Sequence, residues 1–393
     1  MRRPPGFAFH IRTSGGIHLR RRRAGAWLLA GALLACAGGV RAEDRFDHWT
    51  LGEWLEAWPA QRQVMAAFED RVAAPAGERV DFGSRAPARI AVLYPSFQAS
   101  DYWRRNLAAF EARLREIGVP YRLEPYFSRP GDSDLQARQL REALEADPDY
   151  LIATLDSLQD LATIERLLAR GRPRLILQNC TTPMRRFGSQ QPLLYAGFDH
   201  EIGSRRLAEE FLNRYPDGAD WVLLLFTDGM VSDQRGGAFL KAMASHPGMR
   251  LRDIYLTDGL RETSRQSVRD ALERHSGVDF FFACATDVAL GAVDALRETR
   301  RTGRVAVNGW GGGDAELRAL SKGQLAMTLM RMNDDAGVAM AEAVSLDLRH
   351  LGAQVPTVYT GAFERVGPEH SPEDIRRLEQ RAFRYSGREE AAP

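Results

Sequence analysis

Apolar stretches of strand length recur along the chain from residue 85 onward, with polar segments between them. They lie at 89–95, 121–127, 150–156, 174–179, 193–199, 221–228, 251–258, 279–287, 304–311 and 325–332. Near-continuous apolar runs of this length are typical of strands in parallel sheets, which are covered on both faces. The pattern therefore predicts ten such strands, in two sets of five.

The segments between these stretches have helical periodicity. The first carries a single apolar stripe, formed by Trp103, Leu107, Phe110, Leu114 and Ile117. It stops at Gly118, with Pro120 just beyond, which is a typical helix end. Strands that alternate with helices indicate an α/β fold. The two sets of strands predict two doubly wound parallel-sheet lobes.

The first 42 residues differ from the rest of the chain. An arginine run at 20–23 precedes an apolar stretch, and Val40-Arg41-Ala42 ends it as a small-x-small cleavage site. This order predicts a secretory signal peptide over 1–42, with a mature chain that starts at Glu43. A membrane anchor is an alternative, although the apolar run is marginal for a span. A lipoprotein signal with Cys36 as lipid carrier is another.

Removal of this leader changes the charge balance. Eight of the 53 Lys and Arg residues and none of the 52 acidic residues lie in 1–42, so the mature chain has a net charge of about −7. A mildly acidic exported protein has no electrostatic reason to bind nucleic acid. The two remaining cysteines, Cys180 and Cys284, lie in or next to apolar runs, so we expect free buried thiols rather than a disulfide.

Catalytic and metal motifs are absent from the sequence. Neither lysine follows a glycine, which excludes a P-loop, and there is no H-E-x-x-H, paired Cys/His spacing or G-x-S-x-G. The glycine run at 311–313 has Asp314 where a dinucleotide motif needs its last glycine, so we interpret it as a flexible loop. We therefore predict no catalytic residue, no metal and no enzyme activity. An enzyme with a carboxylate pair is a remote alternative.

Polar and aromatic side chains follow many of the predicted strands. Doubly wound sheets bind ligands outside the carboxyl ends of their strands. The candidates at these ends are Gln98, Ser100, Trp103, Thr154, Asp156, Asn179, Asp228, Arg235, Thr286, Asp287, Trp310 and Arg331. Any one of them has an alternative role as a helix cap. Together, from both lobes, they favour a binding site.

Several segments carry a resemblance to a known family. They are QASDYWRRN at 98–106, YAGFDHEIGSR at 195–205, SDQRG at 232–236, NGWGGGDAEL at 308–317, MRMNDDAGVAMAEA at 330–343 and RAFRYS at 381–386. With them, the mature chain resembles the LuxP-type periplasmic autoinducer-2 receptors over essentially its whole length. The resemblance implies a type I periplasmic binding protein, whose two lobes are joined by three hinge crossings.

The resemblance also implies a division of the chain. The crossings are expected near Asp199–His200, just after Arg331 and near 350–357. The predicted parts are an N-terminal extension at 43–84, a first lobe at 85–199 plus 333–351, and a second lobe at 200–332 plus 352–393. In the extension, Leu51, Trp54, Leu55 and Trp58 share one helical stripe. We expect this stripe to pack across a lobe or to belong to a partner interface.

In LuxP-like proteins the bound signal is a furanosyl borate diester, so boron is expected as part of the ligand and no separate cofactor is predicted. Carried over position by position, the ligand-binding residues are Gln98, Ser100, Trp103, Asn179, Arg235, Thr286, Trp310 and Arg331. Thr154, Asp156 and Asp287 are expected to shape or orient these groups. The two arginines would donate charge-assisted hydrogen bonds to borate oxygens. Ala285 departs from the serine expected in the family.

The resemblance implies a receptor in the periplasm that binds autoinducer-2 and regulates a LuxQ-like membrane sensor histidine kinase. A pentose- or ribose-type solute-binding protein of an ABC transporter is the alternative function. The implied partners are therefore autoinducer-2 and the kinase, with no nucleic acid and no membrane span after cleavage of the signal peptide.

Overall fold

The structure, a computed structural model, describes residues 45–389. The predicted signal peptide at 1–42, the predicted start at Glu43 and Cys36 lie outside the described residues. The strands are β1 (Ala88–Tyr94), β2 (Tyr121–Phe127), β3 (Tyr150–Ala153), β4 (Arg174–Gln178), β5 (Leu194–Gly197), β6 (Ala219–Leu225), β7 (Met249–Leu256), β8 (Phe280–Ala283), β9 (Ala306–Val307), β10 (Thr328–Arg331), β11 (Val358–Thr360) and β12 (Phe363–Val366). The α-helices are α1 (Leu51–Ala57), α2 (Gln61–Ala73), α3 (Tyr102–Ile117), α4 (Ser133–Glu145), α5 (Leu158–Arg170), α6 (His200–Arg214), α7 (Met230–Ala244), α8 (Arg261–Arg274), α9 (Thr286–Glu298), α10 (Asp314–Ser321), α11 (Asp334–Leu348), α12 (Pro372–Ala382) and α13 (Ser386–Glu389).

The first lobe is built on a six-stranded sheet with the order β11-β5-β4-β3-β1-β2. Every pairing in it is parallel, and Ile90 in β1 lies opposite Leu123 on one side and Tyr150 on the other. Helix α3 follows β1 and buries its predicted apolar stripe, then ends at Gly118, whose φ of 90° is in the left-handed region that favours glycine. The predicted α/β fold is confirmed.

The second lobe is built on a four-stranded parallel sheet with the order β7-β6-β8-β9. Beyond β9, two parallel bridges, Asn308–Met327 and Gly311–Met330, connect this sheet to β10. Strand β10 pairs antiparallel with β12. Because glycines occupy much of 309–313, the predicted strand at 304–311 is regular only over Ala306–Val307.

The predicted end of the chain needs a correction. The sequence predicts 352–393 in the second lobe, with a crossing near 350–357, but β11 pairs with β5 and so completes the first sheet. The third crossing therefore lies at 361–362, between β11 and β12. The C-terminal segment also returns to the first lobe, where Tyr385 and Ser386 donate backbone N–H groups to Asp334. Strand β11 has only three residues, so its apolar pattern was too short to indicate a strand.

The N-terminal extension packs mainly on the first lobe. Trp54 is buried and stacks on Trp58, at 3.7 Å between ring centroids, while Phe68 of α2 enters the main core. Ahead of these helices, Arg45 reaches the second lobe and forms ion pairs with Asp228 and Asp233. The extension therefore contacts both lobes.

Candidate ligand-binding site

A cavity lies between the two lobes, at the carboxyl ends of their strands. Its volume is about 60 Å³, so it suits a small occupant. Its lining comes from Pro95, Gln98, Ser100, Tyr102, Trp103, Thr154, Leu155, Asp156, Gln178, Asn179, Phe226, Val231, Arg235, Ala285, Thr286, Trp310 and Arg331. Of the eleven residues that the resemblance assigns to the site, ten line this cavity, and Asp287 lies outside the lining.

The loop between β1 and α3 brings an aromatic cluster to the cavity. Trp103 lies in the first turn of α3, with its ring centroid 4.8 Å from that of Tyr94 and 4.7 Å from that of Tyr102. The Gln98 side chain donates to the carbonyl of Pro95 and so folds back over this loop. The indole of Trp103 is 5% exposed, so it packs in the core and also forms part of the cavity wall.

Asn179 follows β4 in a left-handed conformation, with φ 63°. Asparagine tolerates this region better than most residues, and the turn brings its side chain to the cavity. Its backbone N–H donates to Ala196, whereas its Oδ1 atom is buried without a hydrogen-bond partner among the described residues. Buried polar atoms in proteins are nearly always paired, so Oδ1 is available to a ligand.

Arg235 lies on the second turn of α7 and is 4% exposed. Its guanidinium carbon lies 3.8 Å from the ring centroid of Trp310, an arrangement that permits a cation–π interaction. The Nη1 atom donates to the carbonyl of Cys284 at 2.7 Å, and Nε donates to Nδ1 of His200 at 3.3 Å. The partners of this cation are therefore neutral.

Arg331 ends β10 and is 5% exposed. Its guanidinium carbon lies 4.0 Å from the ring centroid of Tyr102 and 5.7 Å from that of Phe198. Its Nε atom is buried and has no hydrogen-bond partner among the described residues. This arginine therefore rests on aromatic rings and lacks a polar partner for Nε.

The two arginines place positive charge in the cavity without a carboxylate of the described residues in direct contact. Within residues 45–389, neither forms an ion pair with a carboxylate. Burial, followed by repulsion from Arg331, lowers the pKa of Arg235 to about 9, and burial likewise lowers the pKa of Arg331. Buried charges usually have an ionic partner, because desolvation costs several kcal/mol per ion. The cavity therefore favours an occupant with negative charge.

The two carboxylates among the predicted orienting residues connect the lobes. Asp156 of the first lobe accepts from Oγ1 of Thr227 at 2.5 Å and from the N–H of Val231 at 3.0 Å, both in the second lobe. Asp287 of the second lobe accepts from the N–H groups of Ala99 at 2.9 Å and of Ser100 at 3.3 Å. Among the described residues neither carboxylate is hydrogen-bonded to a cavity arginine, whereas Asp287 holds the backbone of the loop that carries Ser100. Their orienting role in ligand binding stays a prediction.

Two glycines allow the lobes to approach closely. A Cβ atom at Gly229, which precedes α7, would lie 2.4 Å from the carbonyl oxygen of Asp156. One at Gly313, which precedes α10, would lie 2.2 Å from Oδ1 of Asp101. At Gly229 a larger residue would push against the backbone of the opposite lobe, whereas at Gly313 the Asp101 carboxylate could turn away. Together with the cross-lobe hydrogen bonds of Asp156 and Asp287, the close approach at Gly229 indicates a closed arrangement of the two lobes.

Sequence reasoning missed three residues of the site. Gln178 ends β4 and lines the cavity, so the rule that selected Asn179 also applied to it. Tyr102 is next to Trp103 and supports Arg331. His200, the first residue of α6, contacts Arg235, and no sequence pattern marked it. Cys180 and Cys284 are free and buried, and 45–389 contain no cluster of side chains suited to a metal ion.

Solved structures with similar folds are sugar-binding proteins. A solute-binding protein from Agrobacterium vitis, solved with α-D-tagatopyranose, has a TM-score of 0.66 at 16% identity over 74% of this chain and 98% of that one. One from Agrobacterium radiobacter, solved with D-arabinose, has a TM-score of 0.64 at 18% identity over 75% and 99%. One from Bacillus halodurans, solved with myo-inositol, has a TM-score of 0.63 at 17% identity over 77% and 100%. At such identities the likeness concerns the fold.

A family model described as a periplasmic binding protein domain matches residues 90–348, about two thirds of the chain. The match covers the first sheet except β11 and the first residues of β1, the whole four-stranded sheet and the whole cavity lining. Proteins of this family bind small ligands outside the cytoplasm. Across the described part of the chain, no helix has the length and apolar character needed to cross a membrane. The chain belongs to the periplasmic binding protein domain family.

Proposed function

We propose that this protein is a receptor for a small polyhydroxylated ligand that carries negative charge. The observation that carries the proposal is the pair of buried cations, Arg235 and Arg331, without a carboxylate partner in 45–389. An anionic occupant would supply the missing charge at the moment of binding. A neutral occupant would leave the desolvation cost of both guanidinium groups uncompensated.

The unpaired polar atoms of the cavity residues support a polyol. Oδ1 of Asn179, Nε1 of Trp310 and Nε of Arg331 are buried without partners among the described residues. They offer one acceptor and two donors, a mixture that suits hydroxyl groups, since each hydroxyl both donates and accepts. The aromatic faces of Trp103 and Trp310 suit the apolar faces of a small ring.

The finer proposal is the furanosyl borate diester of autoinducer-2, which combines hydroxyl groups, a small ring and one negative charge. It is supported by the resemblance of the motifs around the cavity residues to LuxP-type receptors and by the two buried arginines, neither of which forms an ion pair within residues 45–389. This proposal includes export of the mature chain to the periplasm and regulation of a LuxQ-like sensor kinase. In this proposal boron belongs to the ligand and the protein holds no cofactor.

The comparisons favour a second candidate, a solute-binding protein that delivers a neutral sugar to an ABC transporter. The similar structures were solved with tagatose, arabinose or inositol, and they are solute-binding proteins of transporters. This candidate requires that both cavity arginines bind hydroxyl groups only. The two candidates therefore differ in the charge of the ligand.

Calorimetric titration of the mature protein distinguishes them. The probes are the autoinducer-2 precursor, with and without added borate in boron-depleted buffer, and D-arabinose. We expect tight binding of the precursor only when borate is present, and weak binding of D-arabinose. Binding unchanged by removal of boron, or tight binding of D-arabinose, would support the uptake candidate. Arg318→Ala, an exposed position on α10, is the matched control and should bind as wild type does.

A further inference from the structure

His200 is a buried residue at the border between the lobes. It is the first residue of α6, directly after the chain leaves the first sheet, and is 2% exposed. Its Nε2 atom lies 3.0 Å from the carbonyl oxygen of Asn179 in the first lobe. Its Nδ1 atom lies 3.3 Å from Nε of Arg235 in the second lobe. The imidazole thus connects a cavity residue of each lobe.

The chemistry of the two partners determines the proton on this ring. A carbonyl oxygen only accepts, so the contact with Asn179 requires the proton on Nε2. A guanidinium Nε only donates, so Nδ1 of His200 must accept from Arg235 with a lone pair. Both contacts are satisfied together only by the neutral ring with its proton on Nε2. Burial, followed by repulsion from Arg235, lowers the pKa of His200 well below its ordinary value, which favours the same form.

Packing holds the ring in this position. The imidazole meets the indole of Trp310 edge to face, at 5.6 Å between centroids. One turn further along α6, a Cβ atom at Gly203 would lie 2.7 Å from the same indole, so the helix lies directly against it. The positive charge of Arg331 acts on the ring as well as that of Arg235, and Asp199 and Glu201 flank His200 on the chain. The ring therefore has little freedom to turn.

We propose that His200 is a positioning residue that orients the guanidinium of Arg235 toward the ligand only when the lobes are closed. Its Nε2 contact with Asn179 spans the lobes and disappears on opening, and the ring is then free to release Arg235. Closure and the placement of the cavity cation are coupled in this way. The identity of the ligand rests on the proposed function, whereas the coupling between His200 and Arg235 does not.

Two substitutions separate positioning from simple packing. His200→Gln keeps a donor for Asn179 and an acceptor for Arg235, because the side-chain amide carries both. His200→Phe keeps the ring and loses both. For the autoinducer-2 precursor with borate, we expect His200→Phe to lose about tenfold or more in affinity, the value of a hydrogen bond to a charged group. His200→Gln should recover most of this loss, and the control His246→Phe, at an exposed position, should lose none.

A double-substitution cycle with Arg235→Met tests the coupling. If His200 acts through Arg235, His200→Phe should cost little in the Arg235→Met background. Additive losses, or a His200→Gln variant as weak as His200→Phe, would overturn the proposal.

A ligand-independent measurement keeps this test separate from the proposed function. Crystal structures of wild type and of His200→Phe show directly whether the Arg235 guanidinium stays on the Cys284 carbonyl. We expect displacement in His200→Phe and retention in His200→Gln. If the precursor fails to bind wild type, the proposed function fails, and the cycle is measured with D-arabinose. An unmoved Arg235 in His200→Phe would overturn the positioning role whichever ligand binds.

Discussion

Two pairs of buried arginines in this protein have opposite surroundings. On α3, Arg113 is 1% exposed and donates from Nε to Glu342 at 2.7 Å and from Nη1 to Tyr385 at 2.9 Å. On the same helix, Arg105 forms ion pairs with Asp101 at 2.7 Å and Asp314 at 3.0 Å. The cavity pair has no such carboxylate among the described residues.

The electrostatic effect of this difference is large. For Arg113, burial lowers the pKa, but the attraction of Glu342 and the hydrogen bond to Tyr385 together raise it by more. The pKa of Arg113 therefore lies above its ordinary value. For Arg235 and Arg331, burial lowers the pKa, and neither forms an ion pair within residues 45–389. The α3 pair is complete within the fold and serves stability. The cavity pair has no such partner among the described residues, and in the proposed function a ligand supplies it.

The largest loss of stability is expected when the ion pair between Arg113 and Glu342 is broken. Arg113→Met leaves the carboxylate of Glu342 buried beside the more distant Arg71, at 3.8 Å. We expect the free energy of unfolding to fall by about 3–5 kcal/mol, measured by denaturant titration without ligand. In Arg113→Met combined with Glu342→Met, most of this loss should be recovered. If Arg113→Met lowered the free energy of unfolding no more than Arg331→Met does, the contrast between the two arginine pairs would be contradicted.

Removal of a cavity arginine should affect binding instead. Arg235→Met and Arg331→Met are each expected to weaken binding of the borated autoinducer-2 precursor by about 2–5 kcal/mol. That is roughly a thirtyfold loss or more in calorimetric titration. Lysine should recover part of it, because the charge remains and the planar fork is lost. The ligand-free melting temperature should be unchanged or higher, since an unpaired buried charge is gone. A clear fall in that temperature would show that the arginine is structural.

The cross-lobe carboxylates should have an intermediate effect. Asp156→Asn and Asp287→Asn keep the shape of the side chain but weaken the hydrogen bonds that each makes to the opposite lobe. We expect each to reduce affinity by about 1–3 kcal/mol, because the closed arrangement becomes less stable. Small-angle scattering of the variants should show a more open average shape than wild type. Asp217→Asn, at an exposed position, is the control, and equal losses there would remove the cross-lobe explanation.

The smallest effect on affinity and stability is expected at Arg45, in the exposed contact between the N-terminal extension and the second lobe. Arg45 is 41% exposed in its ion pairs with Asp228 and Asp233, where water screens the interaction. Arg45→Ala should therefore change affinity and the free energy of unfolding by no more than about 1 kcal/mol. Titration at low and high salt measures the remaining electrostatic part. A loss as large as that of Asp156→Asn would show that the N-terminal extension controls closure.

Much of the fold and most of the cavity lining were predictable from the sequence. The stripe on α3 follows from periodicity, and Asn179, Thr286 and Arg331 follow from the positions of strand ends. In a parallel sheet the carboxyl ends of the strands meet at one edge, so residues distant in the chain are gathered by topology alone. That rule turns a local pattern into a site without knowledge of any contact.

The amino-acid sequence by itself therefore determined the element types and the set of side chains at the cavity edge, because both depend on short-range patterns. Tertiary structure alone decided which partners these side chains meet. It paired β11 with the first sheet, turned Asp156 and Asp287 toward the opposite lobe, and left Arg235 and Arg331 without a carboxylate in 45–389. Charge compensation depends on distances of a few ångströms between residues far apart in the chain, and no local pattern encodes such distances.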